Sequence, residues 1–173
     1  MRYAQIREID ISDGPGVRVG IYTQGCSHHC HNCYNQETWD YNGGHEWTKE
    51  TNDNLIKLIN KPFIKGLSIL GGDPICTYLH DEENNYLLLD LLKDVKNLDK
   101  SVWLWTGYLM EDLLNKKNPL QQKINPLLQQ IDVIIDGPYD EKLQDLHLSY
   151  RGSSNQRVIN VQDTLRENTI VLY

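Results

Sequence analysis

The sequence contains no run of about 20 consecutive apolar residues, which a membrane-spanning helix requires. Residues 1–8 also lack the apolar core of a secretory signal peptide. An excess of positive charge is missing as well, because 17 Lys and Arg against 24 Asp and Glu give a formal net charge of −7. Nucleic-acid binding depends on a basic surface. These absences predict a cytoplasmic protein that binds neither a membrane nor nucleic acid.

Cysteine is scarce, and its distribution is uneven. Three of the four cysteines, Cys26, Cys30 and Cys33, follow the spacing C-x3-C-x2-C. In a reducing compartment, clustered cysteines indicate metal ligands rather than disulfides. Three thiolates can hold three irons of a [4Fe–4S] cluster and leave the fourth iron open to a small molecule. The spacing therefore indicates a cluster that takes part in chemistry.

Two simpler interpretations fit the same loop. Zinc accepts three cysteines and one histidine, and three histidines lie between or beside the cysteines: His28, His29 and His31. Cys30 and Cys33 alone form a C-x-x-C pair, which is typical of thiol redox sites. A second Cys/His pair, which a zinc knuckle usually has, is absent. The distant Cys76 is interpreted as a small buried hydrophobic residue.

Short apolar runs alternate with helical patterns along the chain. The pattern predicts strands at 16–22, 66–70, 101–106, 131–135 and 158–161, and helices at 52–60, 83–98 and 110–116. Pro119 and Pro126 predict at most a broken or two-part helix in 118–130, and 139–156 reads as a long loop. With 173 residues, a single domain spanning 1–173 is expected. The chain is shorter than the about 250 residues of an eight-unit barrel, so the prediction is an open partial (β/α) barrel of about five to six mainly parallel strands.

The polar and glycine-rich motifs all follow predicted strands. The cysteine loop follows the first strand, Gly71-Gly72 the second, Thr106 the third and Asp136-Gly137-Pro138 the fourth. In sheets of this type, functional residues lie beyond the carboxyl ends of the strands. We therefore expect these motifs to meet at one edge of the sheet.

The C-x3-C-x2-C spacing resembles that of the radical S-adenosylmethionine (radical SAM) superfamily. The segment Gly71-Gly72-Asp73-Pro74 resembles the Gly-Gly-Glu-Pro segment of these enzymes, with Asp in place of Glu. A strand-to-loop turn is the simpler explanation of the segment taken alone. The resemblance implies one [4Fe–4S] cluster and a bound S-adenosylmethionine (SAM), and it implies the radical SAM type of open barrel.

The resemblance also implies residue roles. Cys26, Cys30 and Cys33 would hold the cluster, and SAM would contact the following residues: Asn32, Cys33, Tyr34, Gly71, Gly72, Asp73 and Thr106. Many radical SAM enzymes have an aromatic residue just before the third cysteine, but here Asn32 precedes Cys33 and Tyr34 follows it. The adenine contact is therefore expected from the Asn32 backbone, the Tyr34 ring, or both.

Further segments of the sequence indicate one subfamily within this superfamily. They are Asp13-Gly14-Pro15-Gly16, Cys33-Tyr34-Asn35, Trp103-Leu104-Trp105-Thr106-Gly107-Tyr108, Ile135-Asp136-Gly137-Pro138-Tyr139 and Arg151-Gly152-Ser153-Ser154-Asn155-Gln156-Arg157. Together they resemble the enzymes that activate anaerobic (class III) ribonucleotide reductase. The resemblance implies an oxidoreductase that cleaves SAM reductively to a 5′-deoxyadenosyl radical and thereby forms a glycyl radical on the reductase.

The implied partners are the large glycyl-radical subunit of the reductase and a one-electron donor such as reduced flavodoxin. An acidic donor would need a basic patch, for which Arg2, Arg7 and Arg18 are candidates by position, although surface charge alone also explains each. Three alternatives remain: an activase of another glycyl-radical enzyme of the pyruvate formate-lyase type, a small-molecule radical SAM enzyme, and a zinc-binding interaction module.

Overall fold

A mixed sheet of seven strands forms the centre of the molecule in a computed structural model that describes residues 1–173. The strands are β1 (Arg2–Asp10), β2 (Val17–Thr23), β3 (His45–Glu46), β4 (Ile64–Gly71), β5 (Ser101–Trp105), β6 (Val133–Asp136) and β7 (Arg157–Asn160). Their order is β3-β1-β2-β4-β5-β6-β7. The central strands β2, β4, β5 and β6 are parallel, and the others add antiparallel at the two edges.

Helices connect the parallel strands. The helices are α1 (Lys49–Ile59), α2 (Pro74–His80), α3 (Tyr86–Asn97), α4 (Met110–Leu114), α5 (Pro119–Leu128) and α6 (Val161–Glu167). Helix α1 leads from β2 to β4, α2 and α3 lead to β5, and α4 and α5 lead to β6. This is the alternation that places parallel strands side by side. The longest helix has 12 residues, and none combines the length and apolar character needed to span a bilayer.

The two faces of the sheet are covered differently. One cluster of 27 buried residues packs the helices on the sheet, and it includes Leu55 and Leu91 from the helices and Ile69 and Leu104 from the strands. Because neighbouring side chains of a strand point to opposite faces, the alternate residues form a separate small cluster: Trp103, Val133 and Ile135. No helix covers that second face near Trp103. Instead, the rings of Tyr150 and Tyr173 pack edge-on to Trp103, with centroids 4.9 and 5.1 Å away.

The α/β class, the five predicted strands and the parallel centre are confirmed, but the expected strand number of five to six is too low. Strand β1 was not predicted because it lies near the sheet edge, where most of its residues keep some exposure and need no apolar alternation. The two-residue β3 is too short to leave a pattern. Helices α2 and α6, of seven residues each, were also not predicted. The sheet is open, since its two edge strands do not pair with each other.

The expectation of a broken helix in 118–130 is wrong, because α5 is one continuous helix. Pro119 lies in the first turn of α5, where backbone N–H groups have no acceptor inside the helix. The N–H that proline lacks therefore costs the helix no hydrogen bond. The side chain of Asn118 caps the helix by accepting a hydrogen bond from Leu120 N at 3.1 Å. Pro126 has no N–H to donate to the carbonyl of Gln122, so α5 lacks one internal hydrogen bond there, but the helix continues to Leu128.

Arg18 is fully buried on the second face of the sheet, contrary to its interpretation as a surface charge or donor contact. Its guanidinium group donates to the hydroxyls of Ser68 and Ser101 at 2.7 and 2.9 Å, and to the carbonyls of Leu67 and Ser101 at 2.8 and 3.0 Å. Burial lowers the pKa of Arg18 to about 10, so the group is still charged at neutral pH. The cation thus ties together the parallel strands β2, β4 and β5.

We predict that Arg18→Lys lowers the free energy of unfolding by about 3 kcal/mol, because one ammonium group cannot reach all four acceptors of a planar guanidinium. Urea denaturation measures the change. Arg166→Lys on the exposed surface of α6 is the matched control and should change stability little. Equal stability of Arg18→Lys and the wild type would mean that the buried hydrogen bonds contribute nothing to the sheet.

Candidate functional site

The predicted motifs meet at one pocket beyond the carboxyl ends of the parallel strands. The cysteine loop reaches it from β2, Gly71–Asp73 from β4, and Thr106–Gly107 from β5. Gly137, just after β6, lines the same pocket. The convergence follows from the register, since Thr23 at the end of β2 lies beside Gly71 at the end of β4. The parallel sheet therefore assembles this pocket from segments that are far apart in sequence.

The cysteine loop presents three thiols to the pocket: those of Cys26, Cys30 and Cys33. Cys26 is buried, whereas Cys30 and Cys33 are partly exposed, and none is in a disulfide. The loop is closed by a hydrogen bond from Cys33 N to Cys30 O at 3.1 Å, and Cys26 N donates to Trp39 O at 3.1 Å. Asn35 N lies 3.4 Å from Cys33 Sγ and donates to it. The backbone of the loop is thus held in place while the thiols stay accessible.

The glycine segment packs directly against the base of that loop. Gly72 N donates to Thr23 O at 2.8 Å, and Asp73 N donates to Gly25 O at 2.9 Å. Gly71 has φ of 103°, and a Cβ there would lie 2.7 Å from the backbone nitrogen of Thr23. A side chain at this position would separate the segment from β2. The close approach of two backbones explains Gly71 structurally, and it also places the glycine segment beside the cysteines.

Asp73 and Thr106 line the pocket, but their side chains make hydrogen bonds within the protein. Asp73 caps α2, where its Oδ1 accepts from Ile75 N at 2.8 Å and from Cys76 N at 3.0 Å. Its Oδ2 accepts from Thr106 Oγ1 at 2.9 Å and from Gly107 N at 2.7 Å. Both residues are buried. The carboxylate is therefore surrounded by four donors of the protein itself.

Asn32 and Tyr34 lie on the outer side of the cysteine loop. The Asn32 side chain donates to Glu141 at 2.7 Å and does not line the pocket. The Tyr34 ring does line it, 58 % exposed, with its centroid 5.3 Å from that of Tyr139. Of the two candidate contacts for an adenine ring, the Tyr34 ring is thus the one whose side chain faces the pocket.

The far wall of the pocket comes from the segment after β6, which sequence reasoning did not include among the site residues. Tyr139, Gly152 and Gln156 line it. Gln156 Oε1 accepts from Gly152 N at 2.9 Å and from Ser153 N at 3.2 Å, while its Nε2 donates to Gly137 O at 3.0 Å. The sequence signal for this wall is the segment 151–157, which is one of the segments that carry the family resemblance.

A buried polar group lies behind Cys26. Cys76 does not line the pocket, and its Sγ is 3.2 Å from Ser27 Oγ. The interaction between the Cys26 and Cys76 thiols raises the pKa of Cys26 and lowers that of Cys76. His28 Nε2 lies 3.1 Å from Asp73 Oδ2, and this carboxylate raises the pKa of His28 to about 10. The imidazole is therefore charged at neutral pH.

His28, Asp73 and Cys76 are also the residues to consider for the zinc interpretation. Potential ligand atoms of His28, Asp73 and Cys76 lie within 4.8 Å of one another. The Asp73 oxygens, however, already accept four hydrogen bonds, and His28 Nε2 lies 3.1 Å from this carboxylate, so both residues of the group that line the pocket are engaged with each other. A set of three thiols facing one pocket, with the fourth cysteine turned away, fits the three-ligand cluster better than a closed zinc site.

Comparisons with known proteins agree with this geometry. Residues 12–159 match the family described as "4Fe-4S single cluster domain". The chain is 39 % identical over 160 residues to the anaerobic ribonucleoside-triphosphate reductase-activating protein of Vibrio cholerae, covering 90 % of this chain and 96 % of the relative. Proteins of the same name from Enterobacteria phage T4 and Escherichia coli (strain K12) are each 38 % identical, over 91 % of this chain and over 93 % and 97 % of the relatives.

We predict that Gln156→Ala loosens the far wall of the pocket, because three hydrogen bonds of this side chain are lost. Hydrogen exchange followed by mass spectrometry should show faster exchange at Gly152 and Ser153. Ser154→Ala is the control, since Ser154 is exposed and uses only its backbone N–H, which donates to Leu143 O. Unchanged exchange in Gln156→Ala would show that the wall is held by other contacts.

Proposed function

The chain belongs to the family of anaerobic ribonucleoside-triphosphate reductase-activating proteins, which are iron–sulfur enzymes of the radical SAM type, and we propose that it forms a glycyl radical on a reductase of this kind. The observation that carries the proposal is the pocket in which Cys26, Cys30 and Cys33 lie beside the glycine segment, while His28 and Asp73, which also line it, contact each other. An iron–sulfur site with an open coordination position is what reductive cleavage of SAM requires.

In this proposal Cys26, Cys30 and Cys33 hold one [4Fe–4S] cluster. When bound, the cluster would supply the electron that cleaves SAM into methionine and a 5′-deoxyadenosyl radical, which takes a hydrogen atom from a glycine of the reductase. The hydrogen bond from Asn35 N to Cys33 Sγ supports such a role, because N–H donors to ligand sulfurs stabilise them as thiolates.

The protein's own contribution is binding, orientation and exclusion of water. We propose that the backbone of Gly71 and Gly72 binds the methionine end of SAM, since both residues line the pocket and carry no side chain that would block it. Tyr34, whose ring faces the pocket, would lie against the nucleoside, with Asn32 and Cys33 beside it. Trp105 and Tyr139 form apolar walls. Low polarity and excluded water protect a reactive radical from side reactions.

The reductase and the electron donor would both approach the open mouth of the pocket. Tyr34, which lines the pocket, is 58 % exposed and so can be reached from outside. We propose that the large glycyl-radical subunit brings a glycine-containing segment to this opening, and that a one-electron donor such as reduced flavodoxin serves the cluster. In this view residues 1–173 form one radical SAM domain, with the open sheet as its partial barrel.

The test is anaerobic reconstitution with iron and sulfide, followed by dithionite reduction and EPR with and without SAM. The expected result is a reduced-cluster signal that changes shape when SAM is added. Addition of an anaerobic ribonucleotide reductase should then yield a glycyl doublet, and addition of pyruvate formate-lyase should not. Stoichiometric zinc with no cluster would instead support a binding module, and a doublet on pyruvate formate-lyase alone would assign the other activase class.

We further predict opposite outcomes for two cysteines. Cys30→Ala should fold but lose nearly all reconstituted iron and all SAM cleavage, because Cys30 faces the pocket. Cys76→Ala is the matched control and should retain the iron content of the wild type, because its thiol lies behind Cys26. Iron and sulfide analysis with circular dichroism measures both. Normal iron in Cys30→Ala, or loss of the cluster in Cys76→Ala alone, contradicts the ligand assignment.

A further inference from the structure

Asp73 is an acidic residue that lies in the pocket but is only 1 % exposed. Burial of a carboxylate costs several kcal/mol unless the charge is paired and hydrogen-bonded. Here the Oδ1 side accepts the two backbone N–H groups that begin α2, and the Oδ2 side accepts Thr106 Oγ1 and Gly107 N from the end of β5. The carboxylate, itself part of the glycine segment, thus bonds directly to the start of α2 and to the end of β5.

The cysteine loop reaches the carboxylate of Asp73 through His28, in addition to the backbone hydrogen bond from Asp73 N to Gly25 O. His28 Nε2 lies 3.1 Å from Asp73 Oδ2, and the imidazole is two residues after the proposed ligand Cys26. Nε2 has no hydrogen-bond partner, so the contact is a close polar approach of the imidazole to the carboxylate. It connects the cysteine loop to the side chain of Asp73.

Packing fixes the His28 ring in this position. The ring meets Tyr108 edge-on, with centroids 4.7 Å apart. It lies so close to Gly107 that a Cβ on this glycine would be 2.6 Å from His28 Cδ2. Gly107 therefore leaves room for the imidazole, and its N–H also donates to Asp73. The histidine from the cysteine loop and the end of β5 are thus packed around the same carboxylate.

We propose that Asp73, paired with His28, is a positioning residue that holds the cysteine loop, the glycine segment and the end of β5 in one fixed arrangement, and that its carboxylate does not bind SAM. The proposal rests on the proposed function, because it concerns how the pocket for the cluster and SAM is kept in shape. Thr106 is then part of the same device, since its hydroxyl donates to Asp73 and accepts from Tyr108 N at 3.2 Å.

This role explains the presence of Asp in a segment where the resembling enzymes have Glu. Asp is among the preferred residues at a helix N-cap, because its short side chain folds back onto the first N–H groups of the helix. Pro74 at the next position completes the start of α2. The longer Glu side chain would move the carboxylate away from the cap, so Glu could not serve α2 and β5 in the same way.

The first test uses the chain without cluster or SAM, so that it does not depend on the proposed function. Asp73→Asn keeps an oxygen for the α2 cap but places an NH2 group where Oδ2 faces Gly107 N–H and His28. The expected result is faster hydrogen exchange in three segments at once: the cysteine loop, residues 71–73 and residues 106–108. Faster exchange confined to α2, or no change, overturns the proposal. Asn118→Ala, which removes the cap of α5, is the control and should affect only that helix.

The second test is a double-mutant cycle on the reconstituted protein with Asp73→Asn, His28→Gln and the double variant. If the two residues act together, each single variant weakens SAM binding by about tenfold and the double variant by about the same factor. The readouts are SAM affinity and the SAM-dependent change in the EPR signal. If Asp73 binds SAM itself, His28→Gln leaves the affinity unchanged and Asp73→Asn alone accounts for the loss, which overturns the proposal.

The two proposals fail in different ways. A wild-type chain that forms no cluster, or whose EPR signal does not respond to SAM, contradicts the proposed function, while the exchange experiment still decides whether Asp73 joins the three segments. A wild-type chain that responds to SAM normally, with additive effects in the double-mutant cycle, contradicts only the role of the Asp73–His28 pair.

Discussion

The parallel pairing of β2 with β4 is the constraint on which the site depends. It places the end of β2 beside the end of β4, so that the chain leaving β2 as the cysteine loop must pass the chain leaving β4 as the glycine segment. Two backbone hydrogen bonds, from Gly72 N to Thr23 O and from Asp73 N to Gly25 O, hold the two segments together. The glycines are needed there because no side chain fits between the two backbones. The register of the strands alone therefore places the cysteine loop beside the glycine segment, without any side-chain contact.

Much of this arrangement could be predicted from the sequence, because it depends on local patterns. The strands that carry the site are short apolar runs that end at glycine or at polar residues. This pattern is enough to predict β4 and β6 from the sequence. Parallel strands end at one edge, so the meeting of the motifs followed from the order of elements alone. Strand β1 could not be predicted because it lies next to the edge of the sheet, where most of its residues keep some exposure and need no apolar alternation.

The buried polar contacts could not be predicted, since they join residues that are distant in sequence. Asp73 and Thr106 are 33 positions apart, and Arg18 and Ser101 are 83 positions apart. From the sequence alone, an isolated arginine or aspartate is expected to lie on the surface, as most charged residues do. Only the folded sheet shows that Arg18 lies among four acceptors and Asp73 among four donors. For such residues, a prediction from the local sequence differs from the position that the tertiary structure gives them.

The wall formed by residues 139–156 is held unevenly. At its base, Gln156 makes three hydrogen bonds to the backbone, and the buried Ser153 accepts one from Asp140 N. At its tip, the contacts to the cysteine loop, such as that from Asn32 to Glu141, are exposed. Exposed polar contacts contribute little to stability because water competes for them. The base of the wall therefore keeps the pocket in shape, while its mouth is the part of the site that opens at the least cost in free energy.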